Sequence, residues 1–335
     1  MEKDRHMNVL RKINGMFIGD PHIDDLQPKN RQDSYEDATV LKMTECLQYA
    51  QKHKLDFVCI LGDLFDRYEV GPKLRNRMID LFKGGANDNL PWSFPIYIVV
   101  GNHDIDATGN LNKTTLGTLI QSNLIIKKDY EPEFGIYFNH FHRLIDEEAQ
   151  EGHFTHHPAM IIAAHSSMST KPDPFNKDVY LFENTPLHDN TKMIICGHLH
   201  GDMEQTREDG KIFINPGATG RRSANDSNFK KKIKVLILSY TLDGEILDKK
   251  YYYLKSAKPS EEVFKMNEIA IAKQAKSYSQ QTKERIASIR IESWAFTNLQ
   301  DKIKALEHAC KEASLSDKVW EIIKKNVTEV NKKEG

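Results

Sequence analysis

Phe57-Val58-Cys59-Ile60-Leu61-Gly62-Asp63-Leu64-Phe65-Asp66-Arg67 is a short apolar run that breaks at a glycine and ends in two carboxylates and a guanidinium. The same construction recurs along the chain. Ile13–Gly19 (INGMFIG) leads into Asp20-Pro21-His22, and Ile96–Val100 (IYIVV) into Gly101-Asn102-His103-Asp104. Met160–Ala164 (MIIAA) leads into His165, and Met193–Cys196 (MIIC) into Gly197-His198-Leu199-His200. Their shortness and β-branched content predict buried strands of a sheet or sandwich. Ile212–Ile214 and Ile233–Tyr240 read the same way. Between the first two runs, Ser34–His53 places Val40, Met43, Leu47 and Ala50 on one helical face. Leu74–Phe82 reads as a second helix. Strand alternating with helix predicts an α/β core with crossover connections.

In open α/β sheets, ligands collect beyond the carboxyl ends of the strands. The groups at these ends are Asp, Asn and His without Cys, a donor set that suits Mn²⁺, Fe or Zn²⁺. There are too many of them for one ion. A carboxylate bridging two ions about 3.5–4 Å apart is the natural use, and such a pair can bind a phosphate ester and activate a water to attack phosphorus in line. A lone Asp-x-His or His-x-His carries little weight, and the Asn102-His103 turn alone could be only a turn. Four such motifs in order, each at a strand end, define a binuclear site. Asp104 reads as structural, holding its turn. Asp24 and Asp25 read as solvated loop acids. His165 follows a clean apolar strand, whereas His140, His142, His153, His156 and His157 read as solvated surface histidines.

The chain has 335 residues, 39% hydrophobic and 28% charged, which excludes a wholly disordered protein. Its length suggests two domains at about 150 residues each. The balance of 47 basic against 48 acidic residues excludes binding to nucleic acid by bulk charge, but leaves local patches open. No apolar run approaches the roughly 18 residues of a membrane span. The first residues lack the apolar core and cleavage site of a signal peptide. Cys46, Cys59, Cys196 and Cys310 lie far apart with no CxxC pair, so a reducing cytoplasm is expected, without a cysteine zinc site. Cys59 and Cys196 read as buried thiols.

Lys258-Pro259-Ser260 marks a boundary, which gives a catalytic domain over 9–255 and a helical region over 256–335. In the latter, Thr297-Asn298-Leu299-Gln300 resembles a capping box. Leu299, Ile303, Leu306 and Cys310 form a helical stripe that suits core packing or docking. Ser316 reads as the cap of a final helix carrying Val319, Ile323 and Val327.

The ordered set D-x-H, GDxxDR, GNHD, a separate His and GHxH resembles the calcineurin-like metallophosphoesterases over about residues 13–245. The resemblance implies a four-layer α/β/β/α sandwich with two divalent metals at one edge. Carried over, one ion would be held by Asp20, His22, Asp63 and His200. The second would be held by Asp63, Asn102, His165 and His198, with Asp63 bridging. His103 would be the catalytic histidine, stabilising the transition state or protonating the leaving oxygen, and Asp66 would fix its tautomer. Arg67 would contact phosphate.

The flanking sequence is similar to the Mre11/SbcD nuclease branch, in its compact phage-type members. The similarity lies in GDPHIDD, Asn30–Tyr35, GNHDI and Asn215–Arg222. It implies a Mn²⁺-dependent DNA exo- or endonuclease of repair or recombination, with Fe or Zn also compatible. It also implies two-fold dimers. Segments beyond the catalytic domain would cap DNA or bind an SMC-like ABC ATPase of Rad50/SbcC type. Arg221 and Arg222 could clamp a DNA phosphate. Lys230, Lys231, Lys232 and Lys234 would either extend a basic strip or form a solvated strand edge. Three features depart from the branch. The tail is short, Asp66 stands where several members carry a histidine, and Asp104–Asn123 shows no wedge. A phosphatase or cyclic-nucleotide phosphodiesterase acting on a small ester is the alternative. Intact ligand positions argue against an inactive scaffold.

Overall fold

The computed structural model describes residues 11–84, 91–141, 157–172, 179–269, 299–312, 320–321 and 324–325. The chain divides into two compact units, Met1–Lys265 and Met266–Gly335.

In the first unit, β1 (Ile13–Ile18), β2 (Phe57–Ile60) and β3 (Ile96–Ile98) run parallel, with Ile18 opposite Ile60 and Ile60 opposite Ile98. Their carboxyl ends therefore share one edge. Two antiparallel strands, β12 (Lys234–Tyr240) and β13 (Ile246–Tyr253), complete this sheet in the order β13-β12-β1-β2-β3. Lys234 thus lies on an inner strand, and Lys230–Lys232 lie before it, so the lysine run is not a strand edge.

The second sheet has six strands. β5 (Ile136–Asn139), β6 (Ile161–Ser166), β9 (Met193–His198) and β11 (Ile212–Asn215) are parallel, with Ser166 opposite His198. The antiparallel strands β4 (Tyr130–Glu131) and β10 (Met203–Thr206) close its two sides.

Period-two side-chain alternation splits each apolar run between two cores. Met16, Ile18, Val58 and Ile60 pack beneath α1 (Tyr35–Lys52) and α2 (Pro72–Lys83). Phe17, Phe57, Cys59 and Leu61 face the second sheet and meet Ile136, Phe138, Ala163 and Ile195. Gly15 makes room here, since a Cβ on it would lie 2.1 Å from the Phe57 ring. The helices start where the chain provides caps. Ser34 accepts from the Asp37 amide, with Glu36 and Asp37 in the positive first turn of α1, and Pro72 opens α2. The outer face of the second sheet, with Ile162, Ile194 and Phe213, packs on Met168 and Phe182. Among the described residues, this outer layer is the short pair β7 (Met168–Ser169) and β8 (Tyr180–Leu181) followed by a 3-10 turn, Phe182–Asn184. The fold is α/β, two mixed sheets with few helices.

Three cysteines, Cys46, Cys59 and Cys196, are buried free thiols. No helix among the described residues is long and apolar enough to cross a membrane. In the second unit a helix spans Leu299–Glu312, with Leu306 buried. Thr297, Asn298, Ser316 and most of the expected final helix lie outside the described residues. So do His142, His153 and His156.

Candidate metal centre

Asp20 and His22 follow β1, Asp63 follows β2, and Asn102 and His103 follow β3. His165 and His198 end β6 and β9 of the facing sheet, and His200 lies just past β9. Parallel register brings all of them to one edge of the sandwich. Three overlapping groups result, Asp20/His22/His200, His22/Asp63/His103 and Asp63/His165/His198. Asp63 is common to two of them. Its Oδ2 lies 3.6 Å from His22 Nε2 and 3.4 Å from His165 Nε2.

Reaching this edge strains the backbone. Asp20, His22, Asp63 and His198 have φ of 33°, 46°, 47° and 78°, and they are four of the six described non-glycine residues with positive φ. Such conformations persist only where the surroundings over-determine them, and they concentrate at functional sites. The restraints are visible. His22 is pinned by its amide to the Asp63 carbonyl, 2.9 Å, and by the Tyr35 hydroxyl donating to its own carbonyl, 2.7 Å. Asp20 Oδ1 accepts from the His198 amide at 2.8 Å, and Asp63 Oδ1 from the His103 amide at 2.9 Å. Thr219 and Gly220 amides donate to the Gly19 and Asp20 carbonyls, which seats the loop after β11 against the end of β1.

The polar atoms fit a cation better than they fit one another. Asp20 Oδ2 is buried with no hydrogen-bond partner. His22 Nε2 and His200 Nε2 point at each other across 2.9 Å. His165 Nδ1 lies 2.7 Å from the Leu61 carbonyl, which assigns the proton to Nδ1 and leaves a lone pair on Nε2. That lone pair faces Asn102 Oδ1 at 3.1 Å, and His198 Nδ1 lies 3.0 Å from the same oxygen. Acceptors converging on one point are what divalent ions bind. Burial, then repulsion from neighbouring histidines, pushes His198 down to about 4 and His200 down to about 3, so both are neutral at pH 7. Burial works against a charged His165, yet Asp63 and Asp20 raise it to about 9, so the Nε2 lone pair is freed only when a cation displaces that proton. Burial raises Asp63 as well, but His165 and His22 outweigh it and hold it well below the carboxylate range.

The surroundings correct several expectations. Asp66 does orient His103, but through its main-chain carbonyl, 2.6 Å from Nδ1. Its carboxylate instead lies 3.3 Å from His22 Nδ1 and contacts Arg222. Asp24 is fully buried rather than solvated, because Arg67 and Arg222 both reach it. Asp25 also pairs with Arg67 and accepts from the Gly71 amide. Arg67 is thus held by Asp24 and Asp25 and stays partly exposed. Arg221 is buried and turned toward the Lys258 carbonyl and Ser260 Oγ. Of the three expected phosphate-contacting arginines, Arg67 and Arg222 are partly exposed and share Asp24, and Arg222 also reaches Asp66 beside His22. Asp104 holds its turn, accepting from the Gly101 amide at 2.9 Å. His140 is buried, not solvated, and its Nδ1 accepts from the Val100 amide at 3.0 Å. His157 is partly buried and stacks on Tyr137. Sequence reading missed Phe141, whose ring stacks on His198 with centroids 6.1 Å apart. Nothing in the pattern around it marks that contact.

The calcineurin-like phosphoesterase family model matches residues 16–202. The DNA double-strand break repair protein Mre11 of Thermoplasma acidophilum is 26% identical over 303 residues, covering 82% of this chain and 72% of that protein. Among solved structures, a dimetal phosphatase from Danio rerio aligns with a TM-score of 0.43 at 11% identity, covering 72% of this chain and 99% of that one.

Proposed function

The chain belongs to the calcineurin-like phosphoesterase family, and on that premise we propose that it is a Mn²⁺-dependent DNA nuclease of Mre11 type, acting in repair or recombination. The observation that carries the hydrolytic reading is the position of Asp63, one carboxylate oxygen set between the His22 and His165 nitrogens. In this reading Asp20, His22, Asp63 and His200 hold one ion. Asp63, Asn102, His165 and His198 hold the other. Two such ions would supply Lewis-acid chemistry toward a phosphate ester and an activated water. Oxygen and nitrogen donors without thiolate suit Mn²⁺.

The remaining residues position and move protons. His103 Nδ1 donates to the Asp66 carbonyl, which fixes the ring and presents Nε2 to the ester. Burial lowers its pKa, so its protonated form gives a proton more readily to the leaving oxygen. Arg222, steadied by Asp24 and Asp66, offers a guanidinium to a non-bridging phosphate oxygen. The DNA reading is supported by the similarity to Mre11 over most of both chains. By that similarity we assign residues 9–255 to catalysis and the helical region 256–335 to capping DNA or to binding an SMC-like ABC ATPase of Rad50/SbcC type.

The test is Mn²⁺-dependent cleavage of single- and double-stranded DNA, with bis-(p-nitrophenyl) phosphate as the small ester and His103→Ala as the blank. DNA cleavage that disappears in the blank is the expected result. Hydrolysis of the small ester with both DNAs intact would contradict the nuclease assignment. No hydrolysis of either would contradict the phosphodiesterase assignment.

A further inference from the structure

A cavity of about 630 Å³ opens beside the loop that follows β11. It is large enough for a nucleotide-sized ligand. Arg221, Lys230, Lys231, Lys232 and Lys258 line it, and among the described residues Glu261 is the one carboxylate in its wall. In a chain of net charge −1, five cations against one anion is a strong local concentration.

More positive charge is buried behind the wall. Lys42 and Arg31 are 6% and 4% exposed, behind Arg221, which is itself 5% exposed. Asp33 pairs with Arg31. Among the described residues, no carboxylate lies within ion-pair distance of Lys42 or Arg221. Both donate to main-chain carbonyls instead, Lys42 to Thr219 and Arg221 to Lys258. Burial, with Arg221, Arg31 and Lys231 nearby, pushes Lys42 down to about 7. Desolvated cations without counter-charges are costly, and a concave wall focuses their field on the space in front of it.

We propose that this cavity is a binding site for a phosphate-bearing anion, separate from the metal cluster. The several lysines in this wall match the several oxygens of a phosphate or polyphosphate better than the single face of a carboxylate. Tyr253, 52% exposed in the cavity wall, adds an aromatic surface on which a base can stack. Lys231 Nζ donates to the His200 carbonyl at 2.8 Å, which joins this wall to the metal cluster. The same chemistry serves either a nucleic-acid strand running on from the metals or a free nucleotide-like polyphosphate. The site stands on its own residues, whether or not the cluster at Asp63 cleaves DNA.

The test uses the full metal-loaded chain and the double variant Lys232→Glu/Lys258→Glu, both exposed positions. Fluorescence anisotropy follows a labelled phosphorothioate dT12, and calorimetry follows inorganic tripolyphosphate. Tenfold or greater weakening of one probe in the variant is expected, with a shallower salt dependence for the oligonucleotide. Weakening of dT12 alone identifies a strand, and weakening of tripolyphosphate alone identifies a free polyphosphate. Equal affinity of wild type and variant for both probes, or no binding of either by wild type, would overturn the proposal. Hydrolysis of bis-(p-nitrophenyl) phosphate, measured in parallel, should be the same in both proteins. Its absence in wild type would count against the hydrolase reading and leave the cavity assignment intact.

Discussion

His103 is held twice by neighbours that outlast its side chain. Its amide donates to Asp63 Oδ1 and its ring to the Asp66 carbonyl. Truncation to Ala removes the ring and keeps the amide, so Asp63 stays in place. His103→Ala should therefore retain its metal content while kcat falls by about 10²–10⁴-fold, the range of a lost proton-transfer group. Metal analysis and steady-state kinetics on the same preparation check this, and a wild-type kcat would remove His103 from the chemistry. The strand-end residues that the structure gathers were legible in sequence because each sits beside a glycine or a strand terminus. Asp24 was not, since its burial depends on Arg67 and Arg222, 43 and 198 positions away. His140 was misread for the same reason, because its partner is the Val100 amide across the sandwich.

Parallel register turns scattered motifs into one site. With Ile18, Ile60 and Ile98 level, the turns after β1, β2 and β3 must emerge together. The turns can be this close only because glycines line them. A Cβ on Gly101 would lie 2.2 Å from Asp63 Oδ1 and 2.4 Å from the Asp63 amide nitrogen. Gly101→Ala must push the β3 turn away from the β2 turn, a strain of about 1–3 kcal/mol. A lower thermal midpoint together with weaker metal binding is expected, by scanning calorimetry and metal titration. Unchanged metal affinity would mean that the turn relaxes without moving Asp63. The long apolar strands and the helices α1 and α2 were legible, since burial on two faces leaves a continuous run and burial on one leaves a stripe. The edge strands β4, β7, β8 and β10 span only two to four residues and carry polar side chains, so no pattern announces them. β13 was missed because Asp248-Lys249-Lys250 interrupts its apolar character where the strand faces solvent.

Across the molecule, buried charge couples stability to pH. Lys42 ties α1 to the Thr219 carbonyl and is pushed from 10.5 to about 7 by burial and by neighbouring cations. Between those values the unfolded chain binds a proton that the folded chain does not, so this group adds stability as pH rises from about 7 toward 10.5. Lys42→Met should remove that dependence, so the wild-type thermal midpoint should rise relative to the variant's across this window. A constant difference would show that Lys42 keeps its ordinary pKa. The sequence boundary at Lys258-Pro259-Ser260 and the compact unit ending at Lys265 differ because Gln32 and Asn30 pair with Val263 and Lys265, contacts that no local composition records. The whole reading turns on one carboxylate serving two ions. Metal content per chain, measured by mass spectrometry on wild type and Asp63→Ala after equal Mn²⁺ loading, tests it most directly. Two ions in wild type and none in the variant is the expected result. Two ions retained by Asp63→Ala would contradict the bridging assignment and the hydrolytic reading built on it.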